Sequence, residues 1–342
     1  MPCDRLRIMT LPMAPLISII IPNHNGGATL GNCLHAAFAS RYANFEVLVV
    51  DDCSADNSLD IIRDFPRCKL HRLQCHAGAA VARNTGARHS AGEILFFTDA
   101  DCLLEPDALE RAAAAIALHG PEAVIGGTYT LRPHDPGFFS LFQSAFIHYS
   151  ETKHLKNPDY IASHALVISA VNFRKSGGFP EKFMPIIEDV ELSHRLRKNG
   201  YRLVMEPAIL VRHIFNFTFV SSLRNAFRKS CYWTRYSLQN RDLLADSGTA
   251  SRELKTNVVA WFVVFSLFVI GHIFQEVAWL MPVPILCAGN IILNRALLAT
   301  FLRAAGPGFM LAAALYYLLV YPPAVGAGAA VGIVLYLKKG LR

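Results

Sequence analysis

Residues 93–101 read Glu93-Ile94-Leu95-Phe96-Phe97-Thr98-Asp99-Ala100-Asp101, a run of apolar side chains that ends in two aspartates separated by one alanine. Such a run is typical of a strand buried on both faces of a parallel sheet. Open α/β sheets bind their ligands at the carboxyl ends of strands, and alternation along the strand starts Asp99 and Asp101 on the same face. Two carboxylates in that position favour Mg²⁺ or Mn²⁺. A solvated turn that caps the next helix, with Asp101 or Asp107 as the cap, explains the same residues.

The chain divides by composition into a mixed part and an apolar part. Its 342 residues allow one large domain with an appendage, or two domains. It is 53% hydrophobic and only 17% charged, and most of the apolar excess lies after residue 257. The net charge of +7 comes without a long Lys/Arg block, so we expect no nucleic-acid partner. A basic balance beside an apolar tail fits an anionic membrane surface better.

The cysteines do not form a disulfide or metal-binding pattern. There are eight, none of them in a Cys-x-x-Cys pair, which favours a reducing compartment and free thiols. Cys68, His71, Cys75 and His76 lie close together in sequence, but their spacing matches no common structural zinc site.

Strand-like and helix-like segments alternate along the first two hundred residues. This alternation predicts an α/β domain with a doubly wound, mostly parallel sheet. The predicted strands are 16–21, 45–50, 69–73, 93–98, 123–130, 201–205 and 208–211, and the predicted helices are 29–40, 58–65, 78–89, 106–119, 138–149 and 190–199.

Acidic residues follow two of the predicted strands. Asp51 and Asp52 end the second, and Asp99 and Asp101 end the strand quoted above. The carboxyl ends of such strands share one crevice, so we expect the two pairs to converge. The chain has neither a Gly-x-Gly-x-x-Gly nor a Gly-x-x-x-x-Gly-Lys-Ser/Thr motif, so the phosphates of a bound nucleotide would need a metal and side chains to neutralise them.

Two further segments each allow two interpretations. Glu188 and Asp189 begin the helix that ends at Gly200. They either take part in a reaction or merely complement the helix dipole at its first turn. The aromatic stripe of residues 138–149 is typical of a core helix, and it also suits a membrane surface.

Seven short motifs follow one another along the first 213 residues. They are Ser18-Ile19-Ile20-Ile21-Pro22-Asn23-His24-Asn25, Val49-Val50-Asp51-Asp52-Cys53-Ser54-Ala55-Asp56, Ala82-Arg83-Asn84-Thr85-Gly86, Asp99-Ala100-Asp101, Gly177-Gly178-Phe179, Glu188-Asp189-Val190-Glu191-Leu192 and His213. Taken in order, these motifs resemble the family 2 glycosyltransferases, which are inverting enzymes with the GT-A nucleotide-sugar fold. The resemblance covers about residues 16 to 215. Each motif alone is weakly specific, whereas the full set in this order is strongly specific.

The resemblance implies a role for each matching residue. Asp52 would accept a hydrogen bond from the nucleotide base. Asp101 would hold the divalent cation that bridges the diphosphate, and Asp99 would face the sugar or ribose. Asp189 resembles the catalytic base, and His213 resembles a histidine that completes the metal shell in some members. The implied donor-binding set is Pro22, Asn23, Asn25, Asp51, Asp52, Arg83 and Asp99, the acceptor-binding set is Gly177, Gly178 and Glu188, and the metal set is Asp99, Asp101 and His213.

The implied reaction is a single displacement at the anomeric carbon, with Mg²⁺ or Mn²⁺ as cofactor. Asp189 would take the acceptor proton while the acceptor attacks opposite the leaving nucleoside diphosphate, so the configuration inverts. The cation would stabilise the charge on that leaving group.

One motif departs from the polymerising members of the family. Cellulose and chitin synthases carry Gln-x-x-Arg-Trp after this region, where residues 224–233 read Arg-Asn-Ala-Phe-Arg-Lys-Ser-Cys-Tyr-Trp. The departure favours transfer of a single sugar over processive synthesis. Arg224, Arg228 and Lys229 would approach the diphosphate or acceptor, or form a basic surface over lipid head groups.

The last third of the chain predicts membrane helices. Residues 258–280 are long enough to span a bilayer, residues 283–302 are interrupted by polar residues, and residues 309–337 contain Pro322-Pro323 near their middle. This last segment would cross once with a kink, or fold back as two half-helices. The alternative is a set of core helices in a second soluble domain. Glu276 and Arg295 would pair, or face a lipid-linked acceptor.

Charge predicts the orientation of these helices. Residues 221–257 carry seven Lys/Arg against three Asp/Glu, which places the catalytic domain in the cytoplasm. The predicted layout is a lead-in (1–15), a GT-A domain (16–220), a basic juxtamembrane segment (221–257), two to four membrane crossings (258–337) and a basic tail (338–342).

We therefore expect a multi-pass inner-membrane glycosyltransferase. It would move one sugar from a UDP-linked donor to a lipid-linked or saccharide acceptor in envelope polysaccharide or glycolipid synthesis. The alternatives are a processive polysaccharide synthase and a catalytically inactive membrane scaffold of the same fold. A nucleotidyltransferase is disfavoured because residues 23–27 contain neither Lys nor Arg.

Overall fold

The computed structural model describes residues 14–184 and 186–340. Residues 1–13 of the predicted lead-in and residues 341–342 of the predicted basic tail lie outside the described residues.

An eight-stranded sheet in the order β3-β2-β1-β4-β7-β6-β8-β5 forms the centre of the N-terminal part. The pairs β1–β2, β1–β4, β2–β3 and β6–β8 are parallel, and the pairs β4–β7, β6–β7 and β5–β8 are antiparallel. The prediction of a mostly parallel sheet is confirmed. The strands are β1 (Ile17–Asn23), β2 (Phe45–Asp51), β3 (Cys68–Arg72), β4 (Ile94–Phe97), β5 (Cys102–Leu104), β6 (Ala123–Tyr129), β7 (Leu166–Ser169) and β8 (Arg202–His213).

Twelve α-helices are present in the described part of the chain. Seven belong to the sheet domain: α1 (Leu30–Phe38), α2 (Ser58–Arg63), α3 (Ala79–His89), α4 (Ala108–His119), α5 (Phe138–Thr152), α6 (Ala170–Lys175) and α7 (Glu188–Lys198). The other five follow it: α8 (Phe219–Asn240), α9 (Arg252–Phe274), α10 (Val283–Leu293), α11 (Arg295–Leu315) and α12 (Tyr321–Gly340).

The strands that sequence patterns missed are short. β5 and β7 have three and four residues, too few to show a period. The two strands predicted at 201–205 and 208–211 are one strand, β8, which continues through Pro207. The register of β8 against β6 shifts between Gly126 and Thr128, so Pro207 lies where the regular ladder is interrupted.

The sheet is covered on both faces by apolar side chains. Ile19, Ile21 and Phe96 belong to one buried cluster, and their neighbours Ile20 and Phe97 belong to another, as alternation along a strand requires. The first cluster continues without interruption into the C-terminal helices. The sheet and those helices therefore share one core.

The C-terminal helices attach to the sheet domain through α5 and α8. The aromatic stripe predicted on 138–149 is core, because Phe142 contacts Phe301 of α11 and Tyr321 of α12 at centroid distances of 5.4 Å and 5.5 Å. Glycines of α12 let it approach α8 closely. A Cβ at Gly328 would lie 2.3 Å from the Phe227 carbonyl oxygen.

Pro322-Pro323 neither breaks nor reverses the chain. The helix passes through a π-helical turn, Tyr316–Val320, directly before α12. A proline leaves the carbonyl four residues earlier without its helical partner, and here the Trp261 indole of α9 donates to the Leu319 carbonyl at 2.9 Å. The non-helical residues are Ala305 and Gly306, just before Pro307.

Two helices are long and apolar enough to cross a membrane, by length and composition. They are Arg252–Phe274, with mean hydropathy 2.1, and the 44-residue helix Arg295–Lys338, with mean hydropathy 1.9. Only 6% and 28% of their most apolar windows are buried, whereas a core helix of a soluble domain would be mostly buried.

The bounds of the apolar helices differ from those predicted. The span predicted at 258–280 begins earlier, at Arg252, and ends at Phe274, where Gln275 turns into the left-handed region. The segment predicted at 283–302 is divided at Asn294 between α10 and α11. The predicted pair of Glu276 and Arg295 does not form in the described part of the chain, and Arg295 instead lies against the Ile292 carbonyl oxygen at 3.5 Å.

Candidate active site

A crevice of about 610 Å³ opens at the carboxyl ends of β1, β2 and β4. This is the sheet edge at which the sequence predicts the acidic pairs to meet. Of the predicted site residues, Pro22, Asn23, Asn25, Asp52, Arg83, Asp99 and Asp101 line the crevice.

Asp101 and His213 come together although 112 positions separate them. Cys102 of β5 pairs directly with His213 of β8, so the residue before the short strand lies beside the residue that ends the long one. Asp101 Oδ2 is 3.5 Å from His213 Nε2. Within the described residues, Asp101, Cys102 and His213 form one of two groups with ligand atoms close enough to share a metal ion.

The protonation of these groups suits a divalent cation. Burial lowers the pKa of His213 to about 3, so its imidazole is neutral, and its Nδ1 has no hydrogen-bond partner in the described part of the chain. Burial and the charge of Asp99 raise the pKa of Asp101. A cation relieves this repulsion, and a carboxylate with a neutral imidazole is a donor set that Mn²⁺ and related ions accept.

Arg83 forms ion pairs both with Asp99 at the crevice and with Glu188 in the first turn of α7. Arg83 is only 4% exposed, and its guanidinium contacts Asp99 Oδ1 at 2.7 Å and Glu188 Oε1 at 2.6 Å. Burial alone would raise the pKa of Asp99, but the charge and hydrogen bond of Arg83 hold it below its usual value. Arg83 therefore compensates Asp99, whereas no Lys or Arg of the described residues pairs with Asp101.

Asp51 and Asp52 differ in position. Asp51 is fully buried, outside the crevice lining, and accepts from the Asn23 side chain at 3.1 Å and the Ser54 amide at 3.1 Å. Asp52 borders the crevice and accepts from the amides of Ala77 and Gly78, both at 2.7 Å. Asp51 thus links the end of β1 to the loop after β2 through buried hydrogen bonds. Asp52 instead links the border of the crevice to the residues just before α3.

The loop after β1 is tied to the loop after β2. The Ser54 hydroxyl accepts from the Asn23 side chain at 3.2 Å and from the Asn25 amide at 2.9 Å. Asn25 itself has a left-handed backbone, with φ of 53°, and its side-chain oxygen accepts from the Ala55 amide at 2.8 Å. Ser54 was not among the predicted site residues, although it is part of the motif that follows Asp52.

Asp189 lies in the first turn of α7, outside the residues that line the crevice. Its Oδ2 accepts from the Ser163 amide at 3.1 Å. Burial and the neighbouring carboxylate of Glu188 raise the pKa of Asp189 to about 6. Glu188, the neighbour of Asp189 in sequence, also binds Arg83, so two ion pairs connect the start of α7 to Asp99.

A buried histidine near Asp189 was not predicted. His164 Nε2 lies 3.4 Å from Glu151 Oε2, and its ring stacks on Tyr129 at 4.0 Å. The charge of Glu151 raises the pKa of His164 against the opposing effect of burial, and Asp189 adds to the rise. His164 lies in the short 3-10 turn Ser163–Ala165 that leads into β7, a strand with no sequence signal, so no pattern placed it at the site.

Gly177 and Gly178 form a turn beside the site and do not line the crevice. Both have left-handed backbones, with φ of 81° and 72°. The guanidinium of Arg195 donates to the Gly178 carbonyl, and Asn84 Oδ1 accepts from the Phe179 amide at 2.8 Å. Their contacts are those of a structural turn next to α7.

A second group of potential metal ligands consists of His24, Asp52 and His76. The two imidazole rings stack at 4.0 Å, and His76 Nδ1 is 2.9 Å from Asp52 Oδ2. The sequence cluster Cys68, His71, Cys75 and His76 does not gather around one point anywhere in the described ranges.

Comparison with known proteins identifies the relatives of this domain. The family model described as Glycosyl transferase family 2 matches residues 18–172. Glycosyltransferase GlyG of Streptococcus pneumoniae serotype 4 is 30% identical over 131 residues, which are 37% of this chain and 44% of GlyG. The putative teichuronic acid biosynthesis glycosyltransferase TuaG of Bacillus subtilis is 32% identical over 101 residues, 28% of this chain and 40% of TuaG. The chain spans less than half the length of these curated relatives.

The fold is similar to that of a solved enzyme over nearly the whole chain. The mannosyltransferase PcManGT from Pyrobaculum calidifontis, in complex with GDP-Man and Mn²⁺, superposes with a TM-score of 0.58 at 20% identity. The alignment covers 96% of this chain and 88% of that chain, so the likeness of fold includes the C-terminal helices. The sheet domain has the GT-A fold.

Proposed function

Because the Glycosyl transferase family 2 model matches residues 18–172, we propose that this chain is a glycosyltransferase of that family and moves a single sugar from a nucleoside diphosphate donor to an acceptor at a membrane surface. The observation that carries the proposal is the convergence of Asp52, Asp99 and Asp101 on one crevice, with His213 Nε2 3.5 Å from Asp101. A UDP-linked donor is the first candidate.

The donor half of the proposal assigns the crevice to the nucleotide sugar. Asp101 and His213 would hold Mg²⁺ or Mn²⁺, which when bound supplies the positive charge that a departing diphosphate needs. Asp52 would receive the base at the far side of the crevice. Arg83 would keep Asp99 ionised and oriented toward the sugar or ribose. The Mn²⁺ bound to PcManGT is consistent with this assignment.

The acceptor half of the proposal assigns proton removal to Asp189. A carboxylate with a pKa of about 6 is a better base near neutral pH than an ordinary aspartate. The acceptor oxygen would attack the anomeric carbon as Asp189 takes its proton, and the bond to the diphosphate breaks in the same displacement. One displacement inverts the configuration. Glu188 would lie beside the acceptor and, through Arg83, keep contact with the donor side.

The C-terminal helices would hold the domain at the inner membrane, with the catalytic part in the cytoplasm. The low burial of the Arg252–Phe274 helix and the excess of Lys/Arg in residues 221–257 support this placement. The similarity to TuaG, whose name refers to teichuronic acid, supports a role in envelope polysaccharide or glycolipid synthesis. The domain layout then follows the predicted bounds, with 16–220 as the transferase domain.

The test is a donor-hydrolysis screen of the full chain in detergent. UDP-, GDP- and dTDP-linked sugars are each incubated with Mn²⁺, Mg²⁺ or a chelator, and release of the nucleoside diphosphate is measured. We expect one donor to be consumed, and only in the presence of a divalent cation. If no donor is consumed under any condition, the scaffold alternative replaces the proposal. Formation of a long polymer on an added acceptor would favour the processive alternative.

A further inference from the structure

Two histidines and one aspartate meet at the ends of β1 and β2, where all three line the crevice. They are His24, Asp52 and His76, and each offers a ligand atom within 4.8 Å of those of the other two. Asp52 Oδ2 is 2.9 Å from His76 Nδ1, and the two imidazole rings stack with their centroids 4.0 Å apart. Neither histidine is among the predicted site residues, so the role of the group is open.

The carboxylate of Asp52 is held in a fixed orientation. Its side chain is only 3% exposed, and Oδ1 accepts from the Ala77 amide and Oδ2 from the Gly78 amide, both at 2.7 Å. Each carboxylate oxygen has two lone pairs, so one backbone bond leaves a lone pair for a further partner. Hydrogen bonds of this kind orient the carboxylates that ligate metals. Asp52 is therefore a pre-oriented oxygen ligand.

The imidazole of His24 has its Nε2 lone pair available. Its Nδ1 lies 2.7 Å from the Asp52 carbonyl oxygen, and because a carbonyl oxygen only accepts, Nδ1 carries the proton. The Nε2 lone pair accepts from the exposed Asn25 side-chain amide at 3.1 Å. In metal sites, a ligating histidine characteristically donates its other N–H to a carbonyl or carboxylate oxygen. His24 already has this arrangement, and an ion would take the place of the Asn25 donor.

The two imidazoles have room to close around an ion. Both histidines are exposed, and the side chain of His76 is 61% exposed. Tetrahedral zinc, with bonds of about 2.0–2.2 Å, holds its ligand atoms about 3.3 Å apart. Ligand atoms that lie within 4.8 Å of one another reach this spacing when the two exposed side chains rotate, while Asp52 stays in place.

We propose that His24, Asp52 and His76 form a Zn²⁺ site, separate from the group of Asp101 and His213, and that its ion and the nucleotide of the donor exclude one another. Two imidazoles and one carboxylate favour Zn²⁺ over Mg²⁺, which prefers oxygen ligands alone. A water molecule would complete the tetrahedron. The exclusion rests on the proposed function, because it follows from the assignment of Asp52 to the nucleotide base. The metal site itself does not depend on that assignment.

A second pair of stacked histidines provides a comparison within the same domain. The rings of His71 in β3 and His89 in α3 lie 4.2 Å apart. Among the described residues, no carboxylate joins these two in a group of potential metal ligands. The feature that distinguishes His24 and His76 is thus the fixed carboxylate between them, and His89 is a suitable control.

The experiment is a titration of the full chain in detergent with Zn²⁺, in competition with a chromophoric chelator and in the presence of excess Mg²⁺. We expect the natural chain to retain Zn²⁺ under these conditions, because Mg²⁺ competes poorly for imidazole ligands. The Asp101→Ala variant lacks a ligand of the other group and should still retain one Zn²⁺ per chain. If the chelator removes all Zn²⁺ from both chains, the proposal is overturned.

Matched histidine variants locate the ion. His24→Ala and His76→Ala should each weaken Zn²⁺ binding about tenfold or more, since each removes one of three protein ligands. His89→Ala should leave the affinity unchanged. All three side chains are exposed, so equal melting temperatures without metal should show that the variants are folded. Unchanged Zn²⁺ affinity in both His24→Ala and His76→Ala overturns the proposal.

Donor hydrolysis in excess Mg²⁺ tests the exclusion. Zn²⁺ should raise the KM for the donor without changing kcat in the natural chain. The effect should be much smaller in His76→Ala, with each chain compared with its own rate in the absence of Zn²⁺. This variant also controls for Zn²⁺ that binds to the donor itself. A natural chain that binds Zn²⁺ but keeps its KM would overturn the exclusion.

The two measurements separate this inference from the proposed function. Zn²⁺ binding is measured without donor, so it does not require that the chain be a transferase. If Zn²⁺ binds as expected and no donor is hydrolysed, the transferase assignment fails and the metal site stands. If donor is hydrolysed and no Zn²⁺ is retained, only the metal site fails.

Discussion

Arg83 has the most informative environment of any single residue in the site. It is buried, it binds the carboxylates of Asp99 and Glu188, and its Nε has no partner in the described residues. The assignment of roles around it depends on two other residues, Asp101 and Asp189, which can be tested separately.

Asp101→Ala and Asp189→Asn should each lower kcat by on the order of 10²–10³ or more, because each removes a group that acts on developing charge or on the transferred proton. Turnover of the donor identified by the hydrolysis screen is the measurement. Asp107→Asn, at a surface ion pair with Arg111, is the control and should retain activity. Near-natural turnover in either site variant would remove that residue from the mechanism.

Asp189 should also set the pH dependence. Its pKa is raised to about 6, so the base is protonated and inactive below that pH and free above it. We expect kcat/KM to fall about tenfold per pH unit below 6 and to level off above it. Glu188→Gln removes the neighbouring negative charge that contributes to this rise, so the midpoint should move to lower pH. A midpoint that does not move in this variant would contradict the assignment.

Among the elements, α9 is joined to the π-helical turn before α12 by buried polar contacts. Asn257 is fully buried, donates to the Tyr317 carbonyl at 2.8 Å and accepts from the Asn290 side chain at 2.7 Å. These bonds satisfy backbone groups that an apolar environment would otherwise leave unpaired.

Asn257→Leu should therefore destabilise the chain by about 1–3 kcal/mol, the cost of buried polar groups left without partners. Thermal unfolding in detergent is the measurement. Ser266→Ala on the exposed face of the same helix is the matched control and should leave the melting temperature unchanged. An equal melting temperature for Asn257→Leu would mean that water or lipid replaces the lost bonds.

The contact between α12 and α8 depends on small residues. Gly328→Ala would place a methyl group 2.3 Å from the Phe227 carbonyl oxygen, so the two helices must separate, and we expect a loss of about 1–3 kcal/mol. Gly289→Ala in α10 meets no atom within 4 Å and should be neutral or stabilising. Comparing the two melting temperatures separates crowding from the helix propensity of alanine. A Gly328→Ala variant as stable as Gly289→Ala would contradict this close approach.

Seen as a whole, the molecule has one core that crosses from the sheet to the apolar helices. Phe142 of α5 is fully buried by α11 and α12. A chain that ends at residue 251 would expose this aromatic surface and should aggregate rather than behave as a free catalytic domain. Size-exclusion chromatography of the truncated and full chains is the measurement. A monodisperse, donor-hydrolysing truncated chain would show that the sheet domain is independent of the helices.

Much of the sheet follows from local sequence. β1, β2 and β4 carry long apolar runs, and the predicted bounds differ from the observed ones by a residue or two. β5 and β7 could not be predicted because three or four residues show no period. The meeting of Asp101 with His213 depends on β5, so local patterns place both residues near strand ends but not beside each other. Only the resemblance to a family joined them in advance.

The helical part was harder to predict, for a different reason. Hydropathy marks apolar segments but does not show where they turn. Pro322-Pro323 looks like a break, yet donors from α9 satisfy the carbonyls there, and the chain instead deviates at Ala305-Gly306. Those donors come from positions about 60 residues away, so no local rule reveals them.

The shared core has a consequence for the height of the active site. A transferase tethered by a flexible linker could sample acceptors at many distances from the bilayer. Here α5 is packed directly on α11 and α12, so the distance between the crevice and a membrane surface that those helices enter would be fixed. The fixed distance between the crevice and that surface would then select acceptors, because only those whose reactive hydroxyl lies at the same distance from the surface could react.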